Sequence, residues 1–235
     1  MKLVNPTLSW QASGHPYSED YGDIYFSAED PIGESQHVFL EGNQLSTRWQ
    51  QLDGDLFTVA ELGFGSGLNF LLTWKLWKKA QTKGKSLHYI AFEKHPLQTD
   101  QIQKLYSLWP ELKEFSDQLI AQYIDQVSGC HRFLFKDSII LDLHYGDARD
   151  RLSQLERHAG IDAWYLDGFN PKLNSALWDS DILQHITRLS RIGTTLSTYS
   201  VAGNFRRTLN QSGFATQKTP GFGQKRHMLQ AHFEQ

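Results

Sequence analysis

Cysteine is almost absent. Cys130 is the single one in 235 residues, so no internal disulfide can form, which fits a reducing cytosol. Among the ten histidines there is no Cys-x-x-Cys partner and no His-Glu-x-x-His arrangement, which excludes the usual zinc patterns and leaves the expectation of no metal. No apolar run approaches membrane-spanning length, and the start, MKLVNPTLSWQ, lacks a basic-then-apolar signal pattern. A cytoplasmic protein away from the membrane is therefore expected. Acidic residues are missing from one long stretch. Between Asp181 and Glu234 there are none, whereas Arg188, Arg191, Arg206, Arg207, Lys218, Lys225 and Arg226 contribute seven positive charges. The formal net charge of −3 thus hides a basic stretch on an acidic chain. Such a stretch suits a polyanion through phosphate contacts, and suits equally a solvated face with arginines in local ion pairs.

With 40% hydrophobic and 21% charged residues, the chain has ordinary globular composition and is long enough for one large domain. Its most informative stretch is Phe57 to Phe70, FTVAELGFGSGLNF. Leu56 to Ala60 reads as a short buried strand, Gly63, Gly65 and Gly67 permit a sharp turn, and Leu68 to Trp77 open a largely buried helix from about Gly67 to Lys79. Strand, glycine turn and helix make a nucleotide cradle. The spacing is Gly-x-Gly-x-Gly; Leu68 stands where a dinucleotide fingerprint has its third glycine. By itself, the pattern is nearly as compatible with a simple tight turn.

Residues 1–50 do not share the central rhythm and form an N-terminal extension expected to pack on the domain of residues 51–235. Within it, Leu8 to Gln11 and Asp23 to Phe26 read as short strands, and His37 to Trp49 as a helix weakened by Gly42. Tyr25 can cover a ligand, although an aromatic there is more often core. Ser86 to Glu93 is a second strand whose terminal carboxylate, Glu93, lies where ribose hydroxyls are accepted in doubly wound sheets; the plainer alternative is a surface glutamate paired with Lys94. Leu97 to Val127 reads as two helices broken at Pro110 and ended by Gly129. Arg132 to Lys136 and Ile139 to Tyr145 form a hairpin-like pair, followed by Asp147 before a helix from Ala148 to about His158. Asp147 can accept from an adenine amino group and cap that helix.

Ile161 to Leu166 is a buried strand that runs into Asp167, Gly168, Phe169, Asn170 and Pro171. Asp167 then faces the cradle, desolvated by aromatic neighbours and so a better proton acceptor than a free aspartate; the next helix is expected to begin near Asn174 or Ser175. A helix from Ser180 to Arg191, a strand from Thr194 to Tyr199, a helix from Ala202 to Gln211 and an antiparallel pair, Phe214 to Lys218 with His227 to His232, complete the chain. The whole is an α/β fold, a mostly parallel sheet with helices on both faces and a terminal antiparallel hairpin.

ELGFGSGLNF, FEKHP, LHYGD, DAWYLDGFNPKLNSALW, STYSVAGNFRRTL and GFGQKRHML, with DIYFS and VFLEGNQL near the start, resemble the methyltransferase domain of the bacterial tRNA 5-methylaminomethyl-2-thiouridine biosynthesis enzymes, in the same order along nearly the entire chain. The resemblance implies a Rossmann-like S-adenosylmethionine-dependent fold and methyl transfer to the amine of 5-aminomethyl-(2-thio)uridine at the tRNA wobble position. It further implies a partner FAD-dependent oxidase, as a domain or a protein, that generates the amine; FAD itself belongs outside this chain, which stands alone or forms the N-terminal part of a longer polypeptide. Asn170 and Asn204 depart from the family's pattern.

On this reading Asp167 is the catalytic base. Tyr25, Glu61, Gly63, Gly65, Gly67, Asn69, Phe70, Glu93, Lys94, Asp147 and Ala148 surround S-adenosylmethionine, with Glu61 orienting the turn or the cofactor's amino end and Asn69 capping local amides. Phe169 and Tyr199 wall a flipped-out uracil, and Arg206, Arg207, Lys225 and Arg226 meet tRNA. Three alternatives use the same residues: an N-methyltransferase of a small amine or protein, a non-catalytic nucleotide- or RNA-binding module, and, disfavoured by the glycine spacing, a nicotinamide oxidoreductase.

Overall fold

The structure is a computed structural model that describes residues 3–27, 29–80, 82–156, 160–169 and 175–235. At its centre five strands run parallel in the order β9 (Ser190–Thr198), β8 (Ile161–Leu166), β4 (Leu56–Leu62), β5 (Ser86–Glu93) and β7 (Ile139–Tyr145). The chain builds outward from β4 through β5 to β7, then returns to β4's other side with β8 and β9. The direction of winding therefore reverses between β4 and β8, and a crevice opens there at the strands' carboxyl ends. Antiparallel strands close both edges: β6 (Gly129–Phe135) beside β7, and the pair β10 (Phe214–Pro220) and β11 (His227–Phe233), with β11 against β9.

Apolar side chains fill both faces. Beneath one, α3 (Leu68–Lys79) packs with α4 (Thr99–Tyr106) and α5 (Lys113–Ile120), burying Phe70, Trp74, Trp77, Ile102 and Leu119 against Val59, Tyr89 and Leu141. On the other, α6 (Ala148–Ser153), α7 (Ser180–Leu189) and α8 (Gly203–Gln211) bury Leu152, Ile186 and Leu209 against Leu62, Ile90 and Trp164. No helix among the described residues is long and apolar enough to cross a membrane.

Several boundaries differ from expectation, each for a local reason. Residues His37 to Trp49 do not form one helix: α1 (Pro31–Ser35) runs into a π turn over Gln36–Glu41, and α2 starts anew at Leu45–Gln50. The break holds Gly42, where a Cβ would meet Val38 O at 2.0 Å, and Gln44 at φ 55°. Asn43 in that break is fully buried and donates to Phe39 O, Trp164 O and Ser197 Oγ, while Arg48 donates to Thr195 Oγ1 and Asp162 O. Asn43 and Arg48 thereby tie this segment to β8 and β9.

Nearer the start, β1 (Leu8–Trp10) and β3 (Asp23–Ile24) flank an unforeseen β2 (Pro16–Ser18) in a small antiparallel sheet. β3 stops at Ile24 because Tyr25 turns over Gly65 and Phe26 packs edge-on to Trp109, 5.4 Å between centroids. α5 ends at Ile120, not near Val127, since the chain folds back so that Asp125 accepts from Thr99 N and Oγ1 at the start of α4. Gly129 opens β6 instead of ending a helix. β9 begins at Ser190, where Arg191 pairs with Asp162 of β8. α6 stops at Ser153; His158, the expected end, and Asn170, Pro171 and Asn174 lie outside the described residues.

Candidate active site

The glycine turn leaves β4 and fits between its neighbours. Gly63 N–H and Phe64 N–H both donate to Phe92 O, at 3.0 and 3.1 Å, Gly65 N–H donates to Glu93 Oε2 at 2.8 Å and Gly67 N–H to Phe64 O at 2.8 Å. Gly63 has φ 89°, and a Cβ there would stand 2.5 Å from Asp167 O, so only glycine lets the turn lie against the end of β8. These four amides face protein acceptors. A dinucleotide fingerprint aims such amides at a pyrophosphate, so the turn is not built for one, and the nicotinamide alternative loses its binding element. Beside the turn a cavity of about 400 Å³ opens along the strand ends, within the range of small-ligand sites.

At one end of the cavity lie two fixed carboxylates. Glu93 accepts from Gly65 N–H and, through Oε1, from His95 N–H at 2.7 Å. Lys94 pairs with Asp147 at 3.1 Å, not with Glu93, and Asp147 Oδ1 accepts from Arg149 N–H as the N-cap of α6. Backbone amides thus hold both acids in place, with carboxylate lone pairs remaining for ribose hydroxyls and an adenine amino group. Ala148 lines the same end. Tyr25 covers Gly65, and burial together with the Glu93 charge pushes its phenol well above the usual range, so it stays neutral. Tyr21 stacks on Phe169 with centroids 4.6 Å apart.

Asp167 and Asn69 occupy the middle. Asn69 does not cap amides: its Nδ2 donates to Glu61 Oε1 at 2.7 Å and to Asp167 Oδ2 at 2.8 Å, bridging two carboxyl groups. Asp167 Oδ1 accepts from Gly168 N–H at 2.9 Å. Burial pushes the Asp167 carboxyl up to about 6, with the hydrogen bonds from Asn69 and Gly168 pulling the other way. Glu61 is fully buried and bonded by Tyr89 OH at 3.0 Å. Burial, then the nearby Asp167 charge, push it well above the ordinary carboxylate range, which favours the neutral acid.

The remaining wall carries Tyr199, whose hydroxyl donates to Gly168 O, and Lys225, whose ammonium lies 4.4 Å from the Tyr199 ring centroid and 2.6 Å from Glu34 Oε1. Phe169 completes it.

Some expected residues lie elsewhere. Glu61 sits behind Asn69, away from the cavity wall. Gly67 packs against Phe64 and Leu119, and Phe70 faces the core beneath α3, 5.1 Å from the Tyr89 ring. Arg206 and Arg207 lie on α8, which starts just past the end of β9, and Arg226 is exposed on the β10–β11 turn; none of the three lines the cavity. Of the basic stretch, Arg188 donates to Leu152 O and Leu155 O, Arg191 pairs with Asp162, and Lys225 with Glu34. Local acceptors thus take up part of what reads in sequence as a polyanion face, and Asn204 accepts from Arg207. Among the described residues no three His, Cys, Asp or Glu side chains are placed to hold a metal.

Sequence reasoning missed Tyr21, Glu34, Ser35, His95, Leu177 and Ile182 as cavity residues. For Glu34 one signal existed: Asp30-Pro31 opens a helix, Asp30 accepting from Gly33 N–H, which fixes a turn carrying an acid.

A family model described as S-adenosyl-L-methionine-dependent methyltransferase matches residues 110–234. Among similar proteins is the tRNA 5-methylaminomethyl-2-thiouridine biosynthesis bifunctional protein MnmC of Legionella pneumophila (strain Corby), 41% identical over 99% of this chain and 37% of its own. The protein of the same name from Marinomonas sp. (strain MWYL1) is 42% identical over 97% of this chain and 34% of its own. The chain therefore spans about a third of the length of these relatives. The crystal structure of MNMC2 from Aquifex aeolicus shares the fold, with a TM-score of 0.75 at 23% identity over 97% of this chain and 70% of that one. Because the matched model covers more than half of the chain and spans β9 together with β7 and β8 and their strand-end acids Asp147 and Asp167, this chain belongs to the family of S-adenosyl-L-methionine-dependent methyltransferases.

Proposed function

We propose that this chain methylates the amine of 5-aminomethyl-(2-thio)uridine at the wobble position of tRNA. The observation that carries the reading is Asp167: a carboxylate at the strand end, beside the glycine turn, with a proton affinity raised to about 6. An amine attacks a methyl group only through a free lone pair, so a site that methylates amines needs a proton acceptor where the acceptor enters. S-adenosylmethionine, when bound, supplies the methyl group on a positively charged sulfur.

The residues present fit it. Glu93 would hold the ribose hydroxyls and Asp147 the adenine amino group, with Gly63 and Gly65 giving close backbone approach and Tyr25 covering them. Asp167 orients the acceptor's ammonium and takes or relays its proton, an effect typically worth about 10² to 10⁴ in rate, while fixed positions supply the entropy of alignment. Phe169 and Tyr199 wall the uracil. Residues 1–50 act as an extension that roofs the cavity through Tyr21 and Tyr25. Arg206, Arg207 and Arg226 contact the phosphates of the loop. The amine must come from a preceding step, and the partner that fits is an FAD-dependent oxidase, in the same polypeptide or separate; the relatives carry the word bifunctional in their names and are about three times as long.

The test is an anticodon stem-loop RNA carrying synthetic 5-aminomethyluridine, incubated with S-adenosylmethionine and read by mass. The reading expects a gain of one methyl group on that nucleoside; an unchanged mass, with cofactor binding intact, would refute it.

A further inference from the structure

The acceptor end of the cavity is unusually rich in hydrogen-bond acceptors. Glu34 and Asp167 line the cavity, as does the cation Lys225. Asn69, whose amide nitrogen bridges to Asp167, leaves its own Oδ1 buried and without a donor among the described residues. A ligand that matches this end must bring donors and positive charge.

Glu34 is the acid best held for that task. It sits on α1, its side chain is only 14% exposed, and among the described residues its carboxylate is bonded by Lys225 through Oε1. Lys225 is more exposed, at 47%, and has a second seat over the Tyr199 ring, so it stays in place whether or not it keeps Glu34 to itself. Glu34 and Lys225 also act on Asp167, the first raising and the second lowering its proton affinity, as expected of charges sharing one small space. With Asp167 ionised, it and Glu34 carry two negative charges beside the positive charge of Lys225, and a protonated amine would balance the second.

We infer that Glu34 is a specificity-determining residue that recognises the acceptor by its ammonium group, holding it through the carboxylate oxygen that Lys225 leaves free, while Asp167 takes the proton. This rests on the proposed transfer to an aminomethyluridine. It gives the ammonium a second carboxylate, so that Asp167, while orienting it, need not hold it as a tight counter-ion and remains the better acceptor for its proton.

The experiment compares binding of two anticodon stem-loop RNAs, one with 5-aminomethyluridine and one with unmodified uridine at the wobble position, with S-adenosylhomocysteine present. The native protein should prefer the amine-bearing loop by about tenfold or more, the size of one charge-assisted hydrogen bond. Glu34→Gln should bring the two affinities together, with S-adenosylhomocysteine affinity and binding of the unmodified loop as controls for folding. A Glu34→Gln protein that keeps the full preference would overturn the inference. So would a native protein that methylates the amine yet binds both loops alike, and that result would leave the proposed function standing. Absence of methyl transfer together with a Glu34-dependent preference would instead support cation recognition and remove the proposed reaction.

Discussion

At Asp167 a single side chain carries both a functional load and a stability cost. Its folded pKa of about 6 lies above the ordinary 3.8, so the folded protein binds this proton more tightly than the unfolded chain does. The associated stability is complete below about pH 3.8 and is lost as pH rises through about 6. Asp167→Asn should therefore be more stable than the native protein at pH 8, by up to about 3 kcal/mol, and about equal to it at pH 4. Thermal melts at the two pH values check the sign. For activity the sign reverses, because only the ionised carboxylate accepts a proton. The ratio kcat/KM should rise toward a bend near pH 6, and Asp167→Asn should lose about 10² to 10⁴ in turnover while its affinity for S-adenosylmethionine changes little. Glu93→Ala should do the opposite, weakening cofactor affinity by about tenfold or more through lost charge-assisted hydrogen bonds; calorimetric titration distinguishes the two.

The glycine turn works as a unit because β4, β5 and β8 all meet it. Gly63 combines a φ of 89° with a virtual Cβ only 2.5 Å from Asp167 O. Gly63→Ala should cost at least about 2 kcal/mol and displace Asp167, lowering both melting temperature and turnover. This element was legible in sequence because its requirement is local: three glycines after an apolar run leave few alternatives. Glu93, Asp147 and Asp167 were legible for a related reason, since each is the first acid at the end of a buried strand. The inward direction of the turn's amides was not, because the acceptors of three of the four, Phe92 O and Glu93, come from another strand. Asn69 shows the same limit. Its position in the first turn of α3 suggested capping, whereas its partners, Glu61 and Asp167, lie eight and 98 residues away in the chain.

Across the whole molecule, the first fifty residues were the least readable part and contribute much of the cavity's roof. Their short strands and π turn lack strong periodicity, and their placement depends on long-range bonds such as Asn43 to Ser197 and Arg48 to Thr195. Asn43→Ala leaves buried partners unsatisfied and should cost about 2–3 kcal/mol, with a loosened cavity as the visible consequence in hydrogen exchange at Tyr21 to Ser27. On α8, Arg206→Glu with Arg207→Glu should weaken tRNA binding and flatten its dependence on salt; an unchanged slope would remove these arginines from the RNA surface. The central claim is tested most directly by incubating the purified chain with methyl-labelled S-adenosylmethionine and tRNA from cells lacking the final methylation, then identifying the labelled nucleosides by mass spectrometry. The account predicts label in 5-methylaminomethyl-(2-thio)uridine alone; label in another nucleoside, or none while the cofactor binds, would contradict it.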